Sequence, residues 1–172
     1  MAIPQRKPPR LTGYDYSQTG IYFVTVCTKN RANILGQVSV GAGVLDGPQV
    51  CLSEFGKIVE EQIAEINQTY SDIEIDKYVI MPNHVHLLIR LTGQGPSGTP
   101  APTNARIPKL ISALKRFTNR KCGISLWQRS YHDHVIRDEA DYLTHWQYID
   151  ANPAGWTEDE YYKGDSGNDT KI

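Results

Sequence analysis

The order of periodic segments, strand, helix, strand, strand, helix, strand, predicts an α+β fold. The expected form is a ferredoxin-like split βαβ antiparallel sheet, with an added C-terminal helix that carries a tyrosine. Three observations support it. Apolar and β-branched residues cluster at 21–28, 73–81, 84–90 and 131–136 with strand character; they recur at spacings of three and four through 55–66 and 107–117; and Pro82-Asn83 sits where the second strand must turn into the third.

In chain order, residues 1–13 are proline-rich and basic without a period, and read as an N-terminal arm. A single domain is expected over 14–156, followed by a short C-terminal tail over 157–172, disordered beyond Tyr162. The run from Ile21 to Thr28 is the first strand. Residues 34–50 hold Gly36, Gly41, Gly43, Gly47 and Pro48 between short apolar pairs, which predicts a hairpin or an irregular excursion rather than a helix. At Ser53 the period changes: Phe55, Ile58, Val59, Ile63 and Ile66 form one stripe of an amphipathic helix reaching about Asn67, and that stripe needs a sheet to cover it.

Ile73, Ile75 and Val79 open the second strand, and 84–90 form the third. The stretch 91–102, rich in Gly, Pro, Ser and Thr, reads as a flexible loop bordering a substrate. A second helix runs from Ile107 through Leu110, Ile111, Leu114 and Phe117, with Pro108 in its first turn, where its missing N–H costs nothing. Trp127 and 131–136 supply the fourth strand. The final helix covers 138–151, with Tyr142, Leu143, Trp146 and Ile149 as its spaced apolar residues, and Pro153 ends it because the residue before a proline leaves the helical region.

The formal net charge is -1 over 172 residues, which excludes a protein that coats nucleic acid through bulk charge. The positive charge is local: Arg6, Lys7 and Arg10 in the arm, then Lys109, Lys115, Arg116, Arg120 and Arg129. That pattern fits contact with a short nucleic-acid segment. No apolar run approaches the roughly 20 residues that span a bilayer, so a soluble protein retained in the cell is expected. Cys27, Cys51 and Cys122 have no paired spacing, which argues against a disulfide framework or a thiolate zinc site and fits a reducing compartment.

The chemistry concentrates in His84-Val85-His86. A strand's period of two puts both imidazoles on one face, together with Leu88 and Arg90, where they can share one divalent metal or form a hydrogen-bonded pair without a ligand. In the final helix Tyr148 and Asn152 are four apart and share a face. A phenolate can form a covalent link to a phosphate, although Tyr131 and Tyr142 are chemically equal candidates. His132-Asp133-His134 is a second His-X-His on a strand.

The strand ending Phe23-Val24-Thr25-Val26-Cys27-Thr28, the block Met81-Pro82-Asn83-His84-Val85-His86-Leu87-Leu88, the stretch from Leu126-Trp127-Gln128-Arg129 to Arg137-Asp138-Glu139, and Tyr148-Ile149-Asp150-Ala151-Asn152-Pro153 together resemble the single-tyrosine HUH transposases. The likeness covers nearly the whole chain and is strongest to their REP-associated branch. It implies metal-dependent cleavage and rejoining of single-stranded DNA near a hairpin through a 5′-phosphotyrosine. His84 and His86 would be the metal pair and Tyr148 the nucleophile. Asn152 stands where the insertion-sequence enzymes carry a glutamine ligand, and the ion would be Mg2+ or Mn2+.

The implied partner is hairpin-bearing single-stranded DNA from repeated palindromic elements, met in a bacterial-type cytoplasm with nucleoid association when bound. A monomer is the expected state, with edge-strand dimerisation as the alternative. The resemblance leaves His132 and His134 a phosphate or structural role. Two other functions compete with strand transfer: a metal nuclease that uses water, and an idle hairpin-DNA-binding protein.

Overall fold

The computed structural model describes residues 19–39, 47–92 and 106–162. The arm with Arg6, Lys7 and Arg10, most of the loop after the histidine strand, and the last ten residues lie outside that range.

The strands β1 (Gly20–Cys27), β4 (Ile73–Met81), β5 (His84–Leu91) and β6 (His132–Val135) form one antiparallel sheet in the order β4-β5-β1-β6. Helices α1 (Glu54–Thr69) and α2 (Arg106–Cys122) complete the split βαβ order, and α3 (Glu139–Ala151) follows as the added helix. The glycine-rich stretch contains a separate two-stranded hairpin of β2 (Gly36–Ser39) and β3 (Gln49–Leu52). Among the described residues no helix is long and apolar enough to cross a membrane.

Alternation assigns the two faces. Tyr22, Val24 and Val26 of β1 and Val85, Leu87, Ile89 and Leu91 of β5 join one buried core with Val59, Ile63 and Ile66 of α1 and Ile107, Leu110, Ile111 and Leu114 of α2. The intervening residues therefore face the other way, and α3 packs on that second face through β4 and β5. That face mixes polar and apolar residues, and α3 does not use a simple apolar stripe on it. Tyr142 bonds to Asp76, Lys77 pairs with Asp150 at 2.6 Å and lies over the Trp146 ring, and Ile149 is buried. Leu143, expected among its packing residues, is 48% exposed.

Two local features hold the frame. The Ser53 hydroxyl caps α1, accepting from the Gly56 N–H and donating to the Ile34 carbonyl. At Gly56 the helix meets backbone so closely that a Cβ would lie 2.0 Å from the Leu35 carbonyl oxygen. In β4 the register shifts between Ile75 and Lys77, and the extra residue, Asp76, accepts from both Arg90 and Tyr142 on the second face.

The chain does not leave the fold at Ala151. A 3-10 turn at Trp156–Glu158 brings residues 156–161 back over the second face, where Trp156 and Tyr161 are buried. Part of the stretch read from sequence as a tail thus packs on the histidine side of the sheet.

Candidate functional site

In the β1/β5 register Cys27 faces His84, Thr25 faces His86 and Phe23 faces Leu88. Both histidines are buried, with ring centroids 4.5 Å apart. Each is held by its Nδ1. That of His84 lies 2.9 Å from the Asn83 side-chain oxygen and that of His86 lies 2.8 Å from the Thr25 hydroxyl. Asn83 is itself fixed, because its amide donates to the Tyr161 carbonyl at 2.8 Å and the Arg31 carbonyl at 3.3 Å. The turn asparagine thus sets the ring orientation beside it, as an outer partner orients a ligating imidazole.

This arrangement leaves both Nε2 atoms buried without a hydrogen-bond partner among the described residues, and the Asn152 side-chain oxygen is in the same condition. Burial pushes the His84 pKa down to about 4, against opposing pulls from Asp159 and the Asn152 amide. Burial, then the charges of His84 and His86's other neighbour His145, hold His86 well below the usual imidazole range. Both rings are therefore neutral at pH 7, which is the form that ligates metal. Cys27 shares the face, but burial pushes its thiol up to about 11, so it contributes no thiolate.

Asp138 caps α3 by accepting from the Asp141 N–H, and the helix carries Tyr148 and Asn152 to this edge. The Tyr148 ring stands edge-on to His86 with centroids 5.2 Å apart and remains 40% exposed, so its hydroxyl can meet a large substrate. Burial, reinforced by the negative charges of Asp159 and Glu160, raises its pKa to about 12. Tyr142 is tied to Asp76, and Tyr131 is buried beneath the Lys115 side chain. Of the three tyrosines considered from sequence, Tyr148 is the one beside the histidine pair.

Asp159 is the group the sequence pattern did not point to. Its carboxylate accepts from the Asn152 amide at 2.9 Å and from the Tyr148 hydroxyl at 3.4 Å. With His84 and His86 it supplies ligand atoms that all lie within 4.8 Å of one another. The signal available was aromatic: Trp156, Tyr161 and Tyr162 are poor company for a free tail. Two imidazole nitrogens and the Asn152 oxygen, buried and with lone pairs unsatisfied among the described residues, together with the half-buried Asp159 carboxylate, fit a divalent cation.

The basic residues are placed differently. α2 packs on the opposite sheet face, so exposed Lys109, Arg116 and Arg120 lie away from the histidines, and Arg129 is exposed in the following loop. The Lys115 ammonium donates to the carbonyls of Gln128, Arg129 and Ser130, at 2.9, 3.3 and 2.9 Å. None of these five lines the open pocket between β6 and α3, which is bordered by Phe23, His86, His132, His134 and Tyr148.

A family model described as "Transposase IS200 like" matches residues 17–152. A Haemophilus influenzae protein described only as uncharacterized is 31% identical over 180 residues, spanning 93% of this chain and 94% of its own length. A REP-associated tyrosine transposase of Escherichia coli K12 is 25% identical over 144 residues, covering 82% of this chain and 72% of its own. The structure of a REP-associated tyrosine transposase bound to a REP hairpin superposes with a TM-score of 0.59 at 22% identity, covering 92% of this chain and 77% of that one. At that identity the last likeness is one of fold.

Proposed function

The chain belongs to the IS200-like transposase family, and from that premise we propose that it cuts and rejoins single-stranded DNA beside a hairpin through a covalent bond to Tyr148. The observation that carries this reading is the Tyr148 ring set against His86, whose Nε2 is buried without a partner among the described residues. An imidazole pair alone would serve a water-using nuclease equally well; a half-exposed phenol beside it serves strand transfer.

His84 and His86 would hold the cation, with Asn152 or Asp159 as the oxygen donor. When bound, magnesium or manganese would polarise the scissile phosphate and take charge developing on its oxygens. The chain's own residues do the rest. Asn83 and Thr25 fix the imidazoles, and α3 presents the phenol. The Tyr148 oxygen forms its bond to phosphorus as the bond to the 3′ oxygen breaks; the phenol loses its proton and the departing 3′ oxygen gains one. Attack by a 3′ hydroxyl on the phosphotyrosine reverses the step and releases the phenol, so rejoining needs no external energy source.

The hairpin assignment is supported by the relatives, one of which is a REP-associated transposase seen bound to a REP hairpin. The test is incubation of end-labelled hairpin DNA with the chain and manganese or magnesium, followed by denaturing electrophoresis and peptide mapping. A denaturation-resistant adduct mapped to Tyr148, lost in Tyr148→Phe with binding retained, is expected. Nicking without an adduct would assign the site to water, and binding without nicking would leave an idle hairpin-binding protein.

A further inference from the structure

Period two pairs His134 with His132, but the fold pairs it with the helix opposite. His134 Nε2 lies 2.9 and 3.2 Å from the two carboxylate oxygens of Asp141 in the first turn of α3. His145, one turn further on, has its Nδ1 at 3.1 Å from the same carboxylate and 2.8 Å from the Asp141 carbonyl. The two imidazoles stack with centroids 4.8 Å apart and planes 18° from parallel. The Arg137 N–H donates to the Asp141 carboxylate at 3.0 Å and fixes it.

We propose that His134, Asp141 and His145 form a second divalent-metal site, which takes a first-row transition ion and ties α3 to the edge strand β6. The proposal does not depend on the reaction assigned to Tyr148. Metal bonds of about 2.1 Å to nitrogen and oxygen place neighbouring ligands roughly 3.0–3.4 Å apart, and the carboxylate-to-imidazole distances here are 2.9 to 3.2 Å. All three ligand atoms lie within 4.8 Å of one another. Two imidazoles and one carboxylate favour ions such as Zn2+ or Co2+ over magnesium or calcium, which prefer all-oxygen sets. Coordination requires the tautomers with His134 Nε2 and His145 Nδ1 bare, so each ring's proton moves to its far nitrogen and His145 gives up the hydrogen bond its Nδ1–H donates to the Asp141 carbonyl in exchange for the metal bond.

Two features of the fold separate this set from the first. The Phe23 ring stands between them, with its centroid 5.1 Å from that of His86 and 4.6 Å from that of His145. The ligands also come from a strand of four residues and from the first two turns of α3, so an ion here would join two elements that share few contacts of their own. Its mechanical effect would reach Tyr148, three residues beyond His145 on the same helix.

The test is titration of the chelator-stripped full chain with Co2+, read by its visible absorption, and with Zn2+ by calorimetry. Two equivalents are expected. His134→Gln and Asp141→Asn should each remove one and leave the other, whereas the double change of His84 and His86 to Gln should remove only the other. Zn2+ should also raise the melting temperature of the His84/His86 double variant, and adding Asp141→Asn should cancel that rise. A single equivalent in the wild-type chain that disappears with His84 and His86 would overturn the proposal. So would a second equivalent that survives both His134→Gln and Asp141→Asn, since the ion would then sit elsewhere. Circular dichroism on each variant separates lost ligands from lost folding.

Discussion

The Asn152 amide donates to the Asp159 carboxylate across 2.9 Å, and its own oxygen stays buried without a partner among the described residues. The carboxylate therefore orients the amide, and the two oxygen donors near His84 and His86 act as one unit. Asp159→Ala and Asn152→Ala are each expected to weaken manganese binding about 10- to 100-fold, as loss of an orienting partner does. The double variant should be little worse than the weaker single variant. Calorimetry on all three decides it; additive losses would make the two donors independent.

Tyr142→Phe keeps the ring and removes the hydroxyl that donates to Asp76 and sits beside Arg90. It should lower stability by about 1 kcal/mol and leave adduct formation intact. Equilibrium unfolding and the covalent-adduct assay measure the two effects separately, and loss of the adduct would move the nucleophile's support, or the nucleophile itself, to Tyr142.

The Lys115 ammonium donates to three carbonyls of the loop after α2, and we propose that it serves that loop rather than an outside phosphate. Lys115→Ala should cost about 1–2 kcal/mol, the range for charged hydrogen bonds at a partly open position, and should leave the salt dependence of hairpin binding unchanged. A shallower salt slope would return Lys115 to the DNA contacts.

Acid should destabilise the metal-free chain. The His84 pKa is about 4 in the fold, below the ordinary imidazole value near 6.5, so the unfolded chain binds more protons between those limits. Stability is then fully present above about pH 6.5, falls as pH drops through the window, and loses nothing more from this group below pH 4. His86 shifts in the same direction. Urea unfolding across that window should show the fall, and His84→Gln should reduce it to the part that His86 contributes.

Gly56→Ala tests the frame. The added Cβ would meet the Leu35 carbonyl oxygen at 2.0 Å, a backbone atom that cannot swing aside. The expected loss is about 2–3 kcal/mol or more despite alanine's better helix propensity, read as a drop in the urea midpoint.

Much of this architecture was legible locally. Alternation in β1 and β5 and the three-four spacing in α1 and α2 depend only on which side chains must leave water, so they assigned the sheet, its two covering helices and the shared face of His84 and His86. The four-residue spacing of Tyr148 and Asn152 followed from helix geometry alone. What local patterns could not contain was which residues meet across the fold. Asp159 reaches the histidines because Trp156 and Tyr161 pack back over the sheet, Lys115 turns inward because three carbonyls converge on it, and Asp141 collects His134 because the first turn of α3 lies beside that residue of β6. Periodicity reports the side a residue faces; its partner on that side is set by how separate elements close on one another, and that information exists only once the chain has folded.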